Sequence, residues 1–295
     1  MGAIIKAIFT EGFYLFAYLG RPFGGFRPER VLTWLAGKVF LPPKAETDHY
    51  RIRTSWGGVI VGHHYYHIDR QVIIKGCYDA PLHKLLDRLL QSGMVAFDVG
   101  ANMGEVALHM GLKVGPHGSV FAFEPAPSQI TRLHINIQAN NLQDVVKVFP
   151  IALSNQAGKA EFAFADSQKQ NQGMGSLVIC DNEVVTLKTV VETQTLDDFV
   201  LGERINKIDL IKIDIEGAEM LFLQGGLNTL KTLSPDLIME LSESGSGQTP
   251  FDQIKKLEEL GYRVYAFDRR DVSKRLVTSE NIKHTPAMNV YCTKK

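Results

Sequence analysis

The sequence predicts an α/β fold, a mostly parallel sheet with helices on both faces, preceded by an N-terminal extension. Three observations carry that expectation. An apolar run from Met94 to Val99 ends in a small-residue turn, Gly100-Ala-Asn-Met-Gly104, and an apolar-periodic segment from Val106 to Val114 follows. Strand, tight turn and helix make the first half of a nucleotide-binding βαβ unit. Next, Gly118-Ser-Val-Phe-Ala-Phe-Glu124 reads as a second apolar strand, ending in an acidic residue about 20 residues beyond the turn, where a carboxylate can accept ribose hydroxyls. Finally, strand-like and helix-like patterns alternate through to Cys292, as a doubly covered parallel sheet requires.

The elements follow in order. Residues Ala3 to Leu19 are rich in Ile, Phe, Leu and Tyr but are interrupted by Lys6 and Glu11, so they do not read as a membrane span. The start also lacks the basic region of a signal peptide. Ile4, Ile5, Ile8, Phe9, Phe16 and Leu19 fall roughly on one helical face, with Arg21, Arg27 and Arg30 after them. That pattern fits an interfacial helix making peripheral membrane contact, or a helix packed on its own domain or on a second subunit of a homo-oligomer. A further helical stretch, Pro28 to Phe40, stops before Pro42-Pro43. Tyr50 to Ile74 alternates, is split by Gly57-Gly58, and reads as a hairpin or small sheet. On strands His63 and His67 would stand about 13 Å apart, at about 3.3 Å per residue, which favours structural or surface histidines over a metal pair. Pro81 to Leu90 is amphipathic and reads as the helix leading into the central strand.

Beyond Glu124, Ser128 is positioned to cap a helix over 129–140. Val145 to Leu153 reads as a third strand whose end, Ala152-Leu-Ser154, faces the ligand crevice. From Gly158 to Val191 short strand patterns alternate with polar residues, and Asn171 to Leu177 is a loop by composition, either a lid or a surface hairpin. Ile208 to Asp214 is a buried strand ending in Asp214, Glu216 and Glu219, with a helix from Ala218 to Gln224. Asp236 to Leu241 is another strand, with Glu240 near its carboxyl end. Phe251 to Leu260 is an amphipathic helix closed by Gly261. Tyr262 to Phe267 and Met288 to Cys292 read as the last two strands.

The turn discriminates among ligands. A dinucleotide fingerprint needs a middle glycine to admit a pyrophosphate, but that position is Asn102, and Asp98 places a carboxylate inside the turn. A carboxylate there repels phosphate and suits a cation. S-adenosylmethionine has a ribose, an ammonium and a sulfonium and no phosphate, and fits better than NAD. An NAD- or nucleotide-sugar-dependent enzyme, a non-catalytic binding protein, and a plain βα turn without a ligand are the alternatives.

The chain has 295 residues, 45% of them hydrophobic, enough for one large α/β domain plus an extension. Lys and Arg number 32, as do Asp and Glu, so the net charge is zero and nothing points to nucleic acid. Cys77, Cys180 and Cys292 are far apart with no C-x-x-C pattern. That argues against a disulfide or thiolate-metal framework and for a reducing, cytoplasmic setting.

The most specific signal is a set of motifs in order. Phe97-Asp-Val-Gly-Ala-Asn-Met-Gly104, Phe123-Glu-Pro125, Ala152-Leu-Ser154, Thr195-Leu-Asp-Asp-Phe199 and Ile208-Asp-Leu-Ile-Lys-Ile-Asp-Ile-Glu-Gly-Ala-Glu219 resemble the FkbM family of S-adenosylmethionine-dependent methyltransferases. The resemblance covers roughly Gly76 to Lys295, and Asp214 to Glu219 is its most discriminating part. It implies a class I methyltransferase sheet of seven strands with the final strand antiparallel. It also implies O-methylation of a hydroxyl on a sugar, glycan, polyketide or related metabolite. Residues 1–75 match no motif and form an extension, leaving 76–295 as the methyltransferase domain. The candidates for holding the cofactor are Tyr78, Asp98, Gly100, Asn102, Gly104, Glu124, Pro125, Ala152, Ser154 and Asp214. Asp214, Glu216 and Glu240 are the candidates for removing the acceptor's proton, and Asp214 with Glu240 also suits an oxygen site for Mg²⁺.

Overall fold

A computed structural model describes residues 50–62, 66–164, 175–176, 187–242, 249–267, 273–282 and 288–294. The expectations for residues 3–40, for His63 and His64, and for most of the loop 171–177 lie outside these. The chain divides into two compact units, Met1–Asp79 and Ala80–Lys295.

In the first unit, β1 (Tyr50–Arg53) and β2 (Val59–Gly62) form an antiparallel hairpin. The Thr54 hydroxyl donates to the Gly58 carbonyl and accepts from its N–H, which closes the turn. The expected strand pattern does not continue to Ile74. Residues His67–Lys75 form a helix, α1, capped by Gly76 at φ 89°. The apolar run Val72, Ile73 and Ile74 is buried on this helix; short apolar runs do not by themselves distinguish strand from helix.

The second unit is built on an eight-stranded sheet. Its central strands are β3 (Val95–Val99), β4 (Ser119–Phe123) and β5 (Val146–Phe149) on one side, and β10 (Leu210–Ile213) and β11 (Asp236–Leu241) on the other. The order β5-β4-β3-β10-β11 is parallel throughout. Then β14 (Met288–Thr293) inserts antiparallel between β11 and β12 (Arg263–Phe267), and β13 (Lys274–Val277) adds an antiparallel edge. The expected seven strands and antiparallel last strand are present. The eighth, β13, escaped notice because Lys274-Arg275-Leu276 is exposed and lacks an apolar face.

The helices of this unit are α2 (Ala80–Leu89), α3 (Glu105–Val114), α4 (Pro127–Ala139), α5 (Leu196–Gly202), α6 (Glu219–Gly225), α7 (Leu227–Thr232) and α8 (Pro250–Glu259). Ser128 does not cap α4. Ala126 is the N-cap residue, and Pro127 opens the helix with a φ already helical and no N–H to satisfy. Thr195 caps α5 by accepting from Asp198 N, and a Thr249–Asp252 capping box starts α8.

The expected third strand is broken. Pro150 has no N–H for a ladder, and after it β6 (Ala152–Leu153) leaves the main sheet and pairs with β9 (Leu187–Gln194). With β7 (Gly158–Phe164) and β8 (Gly175–Ser176) these strands make a separate four-stranded sheet, which the sequence had shown only as scattered short patterns.

Alternation along the central strands sorts the side chains. Phe97, Val99, Ile211 and Ile213 enter one large apolar core with Phe121, Phe123, Phe149 and Phe199. There the Phe199 ring stands edge-on to Phe123 and Phe149, with centroids 4.7 and 4.8 Å away, an arrangement suited to the ring quadrupoles. On α3, Gly111 sits where an added Cβ would come within 2.9 Å of Val146, so the helix lies close to the sheet.

Between α2 and α3 runs a buried polar chain. His83 Nδ1 is 2.7 Å from His109 Nδ1, His83 Nε2 is 3.1 Å from Glu105, and His109 Nε2 is 3.1 Å from Asp87, which also pairs with Lys113. Burial, reinforced by His83 and opposed by Asp87, lowers the His109 pKa from 6.5 to about 4. A histidine depressed on folding binds its proton more tightly when unfolded, so its share of stability is full above the unfolded value and is lost as pH falls toward about 4. Chemical denaturation of wild type and His109→Asn between pH 7.5 and 4 is expected to show this share, at most about 3 kcal/mol, declining only in the wild type. Parallel pH dependences would show that His109 is not held neutral.

Candidate functional site

The strand order reverses between β3 and β10, the position at which open α/β sheets bind ligands. Gly100 follows β3 with φ +80°, and a Cβ there would overlap the Asp214 carbonyl oxygen. Only glycine allows the two strand ends this close. Gly100 N and Ala101 N both donate to the Phe123 carbonyl, at 3.0 and 2.9 Å, tying the turn to β4. Asn102 has φ 51°, a left-handed conformation that asparagine tolerates better than most residues, and its Oδ1 accepts from Met103 N at 2.7 Å. Gly104 (φ +100°) starts α3, and a Cβ on it would strike Leu133.

Glu124 closes this turn from the neighbouring strand. Its Oε2 accepts from Asn102 N at 2.8 Å and its Oε1 from Ala126 N at 2.9 Å. A carboxylate has about four lone-pair sites, so capacity remains for two more donors. Burial raises the Glu124 pKa to about 7, against the pull of the two N–H groups. Pro125 continues the turn toward Ala126.

Across the crevice, Lys212 lies beside Asp98 in the β10–β3 register. The Lys212 Nζ is 3.4 Å from Asp98 Oδ1, 3.4 Å from Asp214 Oδ2 and 3.3 Å from the Gly100 carbonyl. Burial alone would lower the Lys212 pKa, but Asp214 and Asp98 outweigh it and hold the group above its ordinary value. Asp98 is fully buried, and neither of its oxygens is satisfied by a hydrogen bond. Burial raises its pKa, with Lys212 opposing.

The turn after β10 is strained and stapled. Glu216 has φ 51° and Gly217 φ 93°. The fully buried Glu219 reaches back so that its Oε1 accepts from Ile215 N and Gly217 N, each at 3.2 Å. The backbone on either side of Glu216 is thereby held, and Glu216 itself is exposed. Partial desolvation, then Asp214, Glu240 and Glu219, raise its pKa to about 7.

The structure therefore brings Asp98, Gly100, Asn102, Gly104, Glu124 and Asp214 together, with Glu216 and Glu240 close enough for their charges to interact. Ala152 packs with Ala126, Phe162 and Val191, which sets the small sheet against the residue after Pro125. Ser154 is buried; its N–H donates to the Gln194 carbonyl at 2.9 Å, and its own carbonyl lies against Gly225. Tyr78 belongs to the first unit, 49% exposed and edge-on to His67. Among the described residues no group of three or more His, Cys, Asp or Glu could hold a metal ion, and Asp214 is engaged by Lys212. Sequence reasoning passed over Lys212 and gave Glu219 no role. The signal for Lys212 was a lone charge inside an otherwise apolar strand.

A parallel sheet with an antiparallel strand, β14, inserted between β11 and β12, joined to this glycine-turn crevice, defines a class I methyltransferase. The profile of the methyltransferase FkbM domain matches residues 98–264, more than half of the chain, and the chain belongs to the FkbM methyltransferase family. It is 29% identical over 189 residues to the 2-O-methyltransferase NoeI of Sinorhizobium fredii, covering 60% of this chain and 76% of that one. It is 27% identical over 233 residues to the hexuronic acid methyltransferase AglP of Haloferax volcanii, covering 78% and 87%. The crystal structure of a methyltransferase FkbM from Methylobacillus flagellatus aligns with 12% identity and a TM-score of 0.43, covering 79% of this chain and 56% of that one.

The family implies S-adenosylmethionine as donor, and the residues fit it. The buried Asp98 carboxylate, which Lys212 approaches at 3.4 Å without satisfying either oxygen by a hydrogen bond, suits a further ammonium, and Glu124 retains acceptor capacity for a ribose. A ribose bound at this turn would present its hydroxyls best to an ionised Glu124, so affinity for S-adenosylhomocysteine is expected to rise between about pH 6 and about pH 8. Glu124→Ala is expected to weaken binding roughly ten- to a hundredfold, and Glu124→Gln to flatten the pH dependence. Titration calorimetry checks both; unchanged affinity in Glu124→Ala would remove Glu124 from the binding site.

Proposed function

We propose that this chain is an S-adenosylmethionine-dependent O-methyltransferase that acts on a hydroxyl of a sugar, glycan or related metabolite. The observation that carries the donor is the fully buried Asp98 with two unsatisfied oxygens beside a turn that offers no phosphate cradle. The acceptor class is supported by two relatives, one named a 2-O-methyltransferase and the other a hexuronic acid methyltransferase. When bound, the donor supplies a methyl group on a sulfonium, a good leaving arrangement, so positioning accounts for much of the rate.

The chain's own residues have three tasks. Asp98 holds the ammonium of the donor's amino-acid end. Glu124 and the backbone around Asn102 hold the ribose. A carboxylate near the acceptor removes the hydroxyl proton, and of the three candidates Glu216 fits best. Asp214 is occupied by Lys212, and Glu240 sits within β11 opposite Asn289. Glu216 is exposed on a rigid turn, and a proton affinity near neutrality, about 7, matches what general-base catalysis requires.

Incubating the full chain with methyl-labelled donor and a panel of hexuronic acids, hexoses and oligosaccharides is expected to give an O-methylated product. Glu216→Gln is expected to lower kcat by about 10²–10⁴ with donor affinity nearly unchanged. Binding of donor without methylation of any hydroxyl would overturn the acceptor class. Full activity in Glu216→Gln would overturn the base.

A further inference from the structure

We propose that Lys212 is a positioning residue for the methyl donor, whose ammonium aims Asp98 and supplies the counter-charge that lets this buried carboxylate receive the donor's amino group. The inference rests on the reading of the crevice as an S-adenosylmethionine site.

A lysine in the middle of a strand whose four residues are all buried is costly unless its charge is paired. Leu210 on the same face is apolar, and an apolar residue at 212 would pack against β3 without that cost. The ammonium is instead held by three groups from two strand ends, Asp98, the Gly100 carbonyl and Asp214, all at 3.3–3.4 Å. Two of them belong to the turn that shapes the crevice. Bonding the Gly100 carbonyl fixes the peptide that follows Val99, and pairing with Asp98 fixes the carboxylate just before it.

Charge balance points the same way. Asp98, Lys212 and Asp214 together carry one excess negative charge. The amino-acid end of the donor carries an ammonium, a sulfonium and a carboxylate, one excess positive charge. Without Lys212 two carboxylates would face each other across the crevice, and the buried Asp98, already raised by desolvation, would take up a proton. A protonated Asp98 offers a neutral group to an ammonium. A plain structural cross-link between β3 and β10 would loosen the whole pocket when removed. A positioning role would weaken only ligands with an amino group, and more at neutral than at alkaline pH.

Two probes separate these. S-adenosylhomocysteine carries the amino group and a carboxylate, and 5′-methylthioadenosine keeps the adenosine and lacks both; a matching loss in Asp98→Asn, which removes a negative charge, assigns the effect to the amino group and not to the carboxylate. In Lys212→Met the affinity for S-adenosylhomocysteine at pH 7 is expected to fall about thirtyfold, the size of a lost charge-assisted bond, with methylthioadenosine changed less than about threefold. The deficit is expected to shrink by pH 9, and Lys212→Arg to restore most of the affinity. Lys212→Gln carries the same test should Lys212→Met fail to fold, and Asp98→Asn, which keeps the shape and cannot ionise, is expected to give a selective loss of the same kind at every pH. Equal losses for both probes, or a Lys212 deficit that does not change with pH, would overturn the positioning role. A wild-type chain that binds neither probe would instead overturn the donor reading, and this inference with it.

Discussion

The contact between Gly100 and the Asp214 carbonyl is the constraint on which the site depends. Two parallel strands, β3 and β10, part company there, and their ends come so close that no side chain fits between them. Register does the rest. In the paired ladder Asp98 stands beside Lys212, and because alternate residues face opposite ways, the neighbours on either side, Phe97, Val99, Ile211 and Ile213, go into the aromatic core. One set of hydrogen-bonded pairs thus builds the core on one face and gathers a buried ammonium and two carboxylates on the other.

Across this unit a single device recurs: carboxylates that hold loop backbone. Glu124 receives Asn102 N and Ala126 N, Glu219 receives Ile215 N and Gly217 N, Asp209 receives Val95 N, and Asp197 receives Asn228 N and Thr229 N. Buried N–H groups at strand and helix ends need partners, and these acids supply them. The consequence for Glu124 and Glu219 is a tension between burial, which favours the neutral acid, and donors that favour the anion. Burial wins in both. Glu124, raised to about 7, therefore both holds its loop and stands close to the protonation balance at which it can respond to a ligand.

What could be read from the sequence was chemistry local in the chain. Asp98, Gly100, Asn102 and Gly104 lie within seven residues, and glycine and asparagine announce left-handed backbone wherever it is needed. Glu124 was legible because its spacing from the turn follows from the length of one helix and one strand. Lys212 was not, since its meaning comes from Asp98, 114 positions earlier in the chain, and only the β10–β3 register brings them together. The second sheet failed for a similar reason: β6 and β8 are two residues each, and β7 and β9 carry polar residues along much of their length and pair, among the described residues, only with each other and these fragments, so alternation alone could not separate them from loop. Pro150 did announce the break between β5 and β6, and a stricter reading of a proline inside a strand pattern would have found it. The helix at His67 shows the opposite failing, where β-branched residues drew the reading toward strand and tertiary packing decided otherwise.

The insertion of β14 has a consequence for the order of assembly. The hairpin β12–β13 precedes β14 in the chain, yet among the described residues its strand pairing to the rest of the sheet runs through β14, which lies between β12 and β11. Until β14 arrives, that hairpin is a two-stranded ribbon with no docking partner on the sheet, and such ribbons are marginal on their own. In the finished sheet β14 pairs with both neighbours and buries Val290 and Cys292 between them. The antiparallel margin therefore depends on one non-local strand for its place in the sheet, and Val264, Val277, Val290 and Cys292 then join the same apolar core as the strands that carry the crevice.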